Sequence, residues 1–314
     1  MADVSDLLKD KIRRLDEIGG NFAQASKEVQ KTLLKNALKK LDKLTRNSSG
    51  NIIPSTENLT VITDVVKSLK STLSDKDYQS LVGGLLNEID IQAKLNDTIL
   101  EKTLGKLSNI DFANSVLSQI KDTTKLNLTE ISTAQIVNGL GQYLDTAVSS
   151  GASYSEVQQY VQDYLIGAES KDGALVRYTR QIANDSFAVA DSTRIRLISE
   201  DFGIKFYEWQ GGLIDTSRCF CIERHGLVFH EEEIKAWGRG EISAGGMSSE
   251  CGYPWAGMNL GTNENNIFSL RGGYNCLHTV TPIRDEDVPK EVLFRAYAGG
   301  YYDPPQNIRD MLGL

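Results

Sequence analysis

Cys219-Phe220-Cys221 and Cys276-Leu277-His278 are the two short runs on which the reading of this chain turns. They lie in a segment, Trp209 to His278, that holds all four cysteines (Cys219, Cys221, Cys251, Cys276) and all three histidines (His225, His230, His278). If each triplet is extended, the two-residue alternation of a strand places its outer members on one face. Two such pairs facing each other offer four soft or borderline ligands, the number zinc takes in a structural site. The expected ligands are therefore Cys219, Cys221, Cys276 and His278, with Cys251 and His225 in reserve. Such a site would tie two distant strands together and contribute folding free energy directly. Two other readings stand beside it: small buried thiols in a reduced core, and disulfides, of which four cysteines allow three pairings.

Around these runs the pattern is mixed. Ile204 to Trp209 alternates as a strand and Gly211-Gly212 turns it. Asp215-Thr216-Ser217 is turn chemistry, because all three side chains can bond nearby backbone amides. Glu231 to Trp237 reads as a short helix whose acidic first turn, Glu231-Glu232-Glu233, suits the helix dipole. Residues 245–275 hold seven glycines in 31 positions, a loop of a length that needs fastening. Leu277 to Ile283 alternates again. A last helix, Val288 to Ala298 with Pro289 in its first turn, leads to Gly299-Gly300-Tyr301-Tyr302-Asp303-Pro304-Pro305, which reads as an arm for a partner. Trp209, Trp237 and Trp255 read as core or interface residues.

Upstream the apolar steps are three and four residues, the signature of amphipathic helices. Residues 3–18 form one, ended by Gly19-Gly20, and a second runs through Val29, Leu33, Ala37 and Leu41. The other face of the second carries Lys27, Lys31, Lys35, Lys39, Lys40 and Lys43: a solvated surface, or a contact with DNA or an acidic partner. Asn47-Ser48-Ser49-Gly50-Asn51 is a linker. Helical segments follow from about 57 to 122, with Asp75, Ser108 and Asp111 as caps or breakers, and again over 129–149. Ser153-Tyr154-Ser155-Glu156 matches a capping box opening a helix that Gly167 stops. A long helix is predicted from about 174 to 201. The fold class is α+β: a mainly helical N-terminal two-thirds and a small C-terminal α+β module stapled by the Cys/His cluster.

The chain has 314 residues, 40% of them hydrophobic, and a formal net charge of −8. That sign argues against a general nucleic-acid coat, which needs a concentrated positive surface. Residues 1–50, however, carry eight Lys and three Arg against five Asp and two Glu, a net of +4. No window approaches the 18 apolar residues of a membrane span, and the N-terminus lacks a basic-then-apolar leader pattern. No Walker loop or dinucleotide fingerprint is present. A thiol hydrolase built from Cys219 or Cys221, His225 or His278 and Asp215 would need a depressed thiol pKa and an oxyanion site. The sequence offers neither an elbow motif nor a helix starting at either cysteine.

The order of these pieces resembles the minor head proteins of tailed bacteriophages, the family named after the F protein of phage Mu. The matching residues are Ser153-Tyr154-Ser155-Glu156 entering a helix, Arg180 to Arg196 in the long helix, and Trp209. Asp215-Thr216-Ser217-Arg218-Cys219-Phe220-Cys221 and His225-Gly226 follow, and Gly272-Gly273-Tyr274-Asn275-Cys276-Leu277-His278 with Pro282 closes the module. The resemblance covers roughly residues 130–285. It departs from the family pattern at Tyr178-Thr179-Arg180, where Arg-Thr-Glu is frequent, and at Leu277, where arginine is common. The helical pattern upstream and the resemblance together divide the chain into a basic helical hairpin and linker (1–50), a helical region (51–128), the minor-head-protein-like module (129–285), and a C-terminal helix and tail (286–314).

What the resemblance implies is a virion structural component, made in the host cytoplasm and present in few copies. It would bind portal or capsid proteins, and DNA through the lysine-rich helix, in head assembly, packaging or DNA delivery, without turnover. The alternatives are a virion-carried hydrolase, Cys/His- or metal-dependent, and an ejected DNA-binding protein.

Overall fold

Apolar steps of three and four residues become helices through to residue 201, and a small mixed module follows, so the α+β class holds. The computed structural model describes residues 3–107, 110–169, 171–215, 217–248, 258–273, 276 and 278–314. The first helix, α1 (Val4–Leu41), corrects the expected hairpin: it is one helix of 38 residues. A left-handed residue commonly ends a helix, and neither Gly19 nor Gly20 has a positive φ. The apolar row also stays in phase across them, with Leu15, Ile18, Phe22 and Ala23 buried. That burial outweighs the roughly 1 kcal/mol each glycine costs relative to alanine.

Then come α2 (Thr56–Leu73), α3 (Lys76–Leu104) and α4 (Ile110–Leu126), which passes through one π turn (Asn127–Ile131) into α5 (Ser132–Ser150). Next are α6 (Tyr154–Leu165), the two-residue strands β1 (Gly167–Ala168) and β2 (Lys171–Asp172), and α7 (Ala174–Asp201). Asp75 caps α3 as expected, its Oδ1 accepting from the amides of Asp77 and Tyr78 at 3.0 and 3.1 Å. Asp111 falls in the first turn of α4; Ser108 lies outside the described residues. α6 begins where Ser153 predicts, but the capping box does not form, because the Ser153 hydroxyl pairs with Ser155 Oγ at 2.8 Å.

By internal contacts the chain divides into two compact units, each gathered from separate segments. One comprises Ile18–Asn87 and Asp122–Ala183. Within it α2 packs along α5, and the linker after α1 is a tight turn in which Asn47 Oδ1 accepts from the amides of Ser49 and Asn51. Buried Asn58 holds that turn to α2 through the carbonyls of Thr45 and Ile53.

The other unit comprises the residues up to Glu17, Glu88–Lys121 and Asn184–Leu314. Its sheet is antiparallel, in the order β4 (Val228–His230), β3 (Phe206–Gln210), β5 (Thr279–Ile283). Alternation along β3 sends Tyr207 and Trp209 into one core and Phe206 into another. The first core packs Trp209 edge-to-face on Trp237 (5.5 Å) and Phe220 (5.8 Å). The second joins Phe206 to Val292, Leu293, Tyr302 and Ile308.

Among the described residues, three short helices flank the sheet before β5: α8 (Cys219–Arg224), α9 (Glu231–Gly238) and α10 (Ile267–Leu270). α11 (Lys290–Ala298) and α12 (Gln306–Leu312) close the chain. The aromatic and proline-containing tail is therefore no free arm: Tyr302 is buried and its hydroxyl donates to Asp285. Among the described residues no helix is long and apolar enough to cross a membrane.

Candidate metal centre

The local fold around Cys219 decides which ligands can meet. Ile214 and Ser217 close the expected turn, Ile214 N donating to Ser217 Oγ at 2.8 Å. Arg218 follows in an extended conformation (φ −72°, ψ 146°) and α8 begins at Cys219. This corrects the extended reading of Cys219-Phe220-Cys221 and the absence of a helix start there. In a helix, residues two apart lie about 200° apart around the axis, so the two thiols point to opposite sides. Cys219 is exposed and disulfide-bonded, whereas Cys221 is buried and free. Helical geometry instead pairs residues four apart. Phe220 and Arg224 show it: the buried guanidinium lies 3.7 Å over the Phe220 ring and 4.4 Å over Trp237.

Cys276 and His278 come from the segment entering β5. Cys276 is a buried free thiol, its amide donating to Gly273 O at 3.1 Å. Its Sγ lies 3.9 Å from Cys221 Sγ. His278 is buried beside the Trp209 ring at 6.2 Å, and its Nε2 has no hydrogen-bond partner. One ligand atom from each of Cys221, Cys276 and His278 falls within 4.8 Å of the others. Gly272 lies against both sulfurs: a Cβ there would come within 2.6 Å of Cys221 Sγ and 2.7 Å of Cys276 Sγ.

These residues fit a metal ion. Zinc–sulfur bonds of about 2.3 Å make a tetrahedral edge of about 3.8 Å, close to the observed 3.9 Å and well beyond the disulfide length of about 2.05 Å. The charges fit as well. The Cys276 thiol is pushed well below its ordinary range by its hydrogen bond with Cys221, with help from His278 and Arg271. Cys221 is pushed up by the same hydrogen bond, and burial adds to the shift. A cation bound there would favour the thiolate form of both cysteines.

Behind the sulfurs lies a buried polar network that the sequence reading passed over. Asp191, on α7, takes Lys11 Nζ (3.3 Å), Gln92 Nε2 (3.1 Å) and Asn96 Nδ2 (2.9 Å) on one oxygen, and the Thr279 hydroxyl (2.5 Å) on the other. Arg271 Nη1 lies 3.9 Å from the same carboxylate, and its Nη2 donates to Ala188 O. Burial alone would raise the Asp191 carboxyl, but Lys11, Arg271 and the neutral donors hold it below its ordinary value. Arg271 has a positive φ of 32° and leads directly into Gly272. The network thereby fixes the loop that presses on the two sulfurs. One signal was available in the sequence: Lys11 falls on the apolar stripe of α1.

The remaining expected site residues stand outside this three-residue group. Cys251 and Trp255 lie outside the described residues. His225 ends α8 and is exposed. His230 instead caps α9: its Nδ1 accepts from Glu232 N while Glu233 accepts from His230 N. Lys27, Lys31, Lys35 and Lys39 are exposed at four-residue intervals on α1, Lys40 is half-buried, and Lys43 is exposed beyond the helix end. Lys31 pairs with Glu28 at 2.6 Å. Lys27 and Lys31 also border a cleft of about 570 Å³ that Glu169, Lys171 and Asp172 share. No family model matches the chain, and no curated protein or solved structure is detectably similar to it.

Proposed function

We propose that this chain is a minor structural component of a tailed-phage particle, bound near the portal and acting by binding rather than turnover. In this reading zinc, held by Cys221, Cys276 and His278, clamps the C-terminal module as a rigid docking unit. The helical N-terminal part reaches portal, capsid or packaged DNA, with Lys27, Lys31, Lys35, Lys39, Lys40 and Lys43 as the DNA-facing residues.

The observation that carries the reading is the convergence, from segments 55 residues apart, of two buried thiols and a buried imidazole. The opening beside Cys276 is about 20 Å³, room for about one water molecule, which suits a structural centre better than a substrate site. The order of motifs along residues 130–285 supplies the particle assignment. Elemental analysis of chain purified without chelator is expected to give one zinc per chain. Peptide mapping of purified particles is expected to find the chain at far fewer copies than the main shell protein. Absence from particles would overturn the assignment, and a metal-free chain would overturn the clamp.

A further inference from the structure

The three-residue group leaves a tetrahedral ion one donor short. Cys219 cannot supply it, being on the far side of α8 and already bonded. Four residues after Cys221, and so on the same helical face, stands His225, whose amide donates to Cys221 O at 3.1 Å. The sheet brings the same residue toward His278. His225 precedes β4 and His278 immediately precedes β5, and both strands pair with β3. Both histidines therefore arrive at one end of the sheet. Gly226, at φ +72°, turns the chain there and donates to Trp209 O at 2.8 Å.

The two imidazoles stand edge to face, centroids 5.7 Å apart at 86°. Two imidazoles on one tetrahedral ion, with bonds of about 2.0–2.1 Å, hold their centroids roughly 5 Å apart. The three buried residues form the close group without His225, so its exposed side chain would have to turn inward to join them. We propose that His225 is the fourth ligand, completing a Cys2His2 centre with Cys221, Cys276 and His278. The ligand pattern is then Cys-x3-His on the helix and Cys-x-His at the strand. This assignment rests on the metal reading above.

Cobalt(II) titration of the full chain, stripped with chelator, tests both levels separately. The unsubstituted chain is expected to take one cobalt, with a thiolate charge-transfer band and the intense visible bands of a four-coordinate ion. His225→Asn is expected to keep that stoichiometry but bind at least about 10-fold more weakly, with shifted visible bands as water replaces imidazole. An unchanged spectrum and affinity in His225→Asn would overturn the fourth ligand and leave the three-residue centre standing. Failure of the unsubstituted chain to bind cobalt would overturn both.

Discussion

At the scale of single residues, the Cys221–Cys276–His278 group depends on a side chain that is missing. Gly272 lets the backbone lie against Cys221 and Cys276, where a methyl group would approach both sulfurs to 2.6–2.7 Å. Gly272→Ala is therefore expected to part the thiols. It should lower stability by about 1–3 kcal/mol, the usual cost of overpacking, and, on the proposed metal reading, weaken metal retention. Chemical denaturation beside metal analysis checks it; an alanine variant with full metal content and unchanged midpoint would refute it. That cysteine and histidine gather here was legible from composition, since both residue types are confined to the segment after Trp209. Which of them meet was not, because a spacing of two selects one face only in a strand. The chain is helical at Cys219, where a spacing of four selects the face.

Among the elements, the long helices were the most readable and the short ones the least. α7 starts and ends where its apolar steps predict, at Ala174 and Asp201, because burial at every third or fourth residue fixes both period and extent. α8 and α10 have six and four residues, too few for a period to register. They form because the surrounding core holds Phe220, Cys221, Ile267 and Phe268. α1 shows the opposite failure, where a local breaker signal loses to a continuous buried stripe. Gly20 is helical and an added Cβ there meets nothing within 4 Å. Gly20→Ala is expected to stabilise the protein by about 0.5–1 kcal/mol, through helix propensity and a less flexible unfolded chain. A lowered thermal midpoint would show that the glycine pair serves some other purpose.

For the molecule as a whole, the Asp191 network ties together segments far apart in the chain. It draws together Lys11, Gln92, Asn96, Arg271 and Thr279. Asp191→Asn leaves two buried cations without their anion and is expected to cost about 3–5 kcal/mol. The folded state holds this carboxyl below its ordinary value of 3.8. Its contribution is thus complete above that pH and is lost as the pH falls below it. The variant should therefore lose part of the acid dependence of stability in that range, read from denaturation midpoints against pH. Parallel curves for the two proteins would argue against the network.

The units are not consecutive pieces of chain, and each of their four boundaries falls inside a helix, α1, α3, α4 or α7. A fragment starting at residue 129 or 184 would carry every cysteine and histidine yet lack Lys11, Gln92 and Asn96. Trimming this protein to its cysteine-bearing end would leave Asp191 without three of its partners. On the ribosome, Lys11 must wait for Asp191 before it finds its counter-charge, and for Arg271 before the loop behind the sulfurs can set.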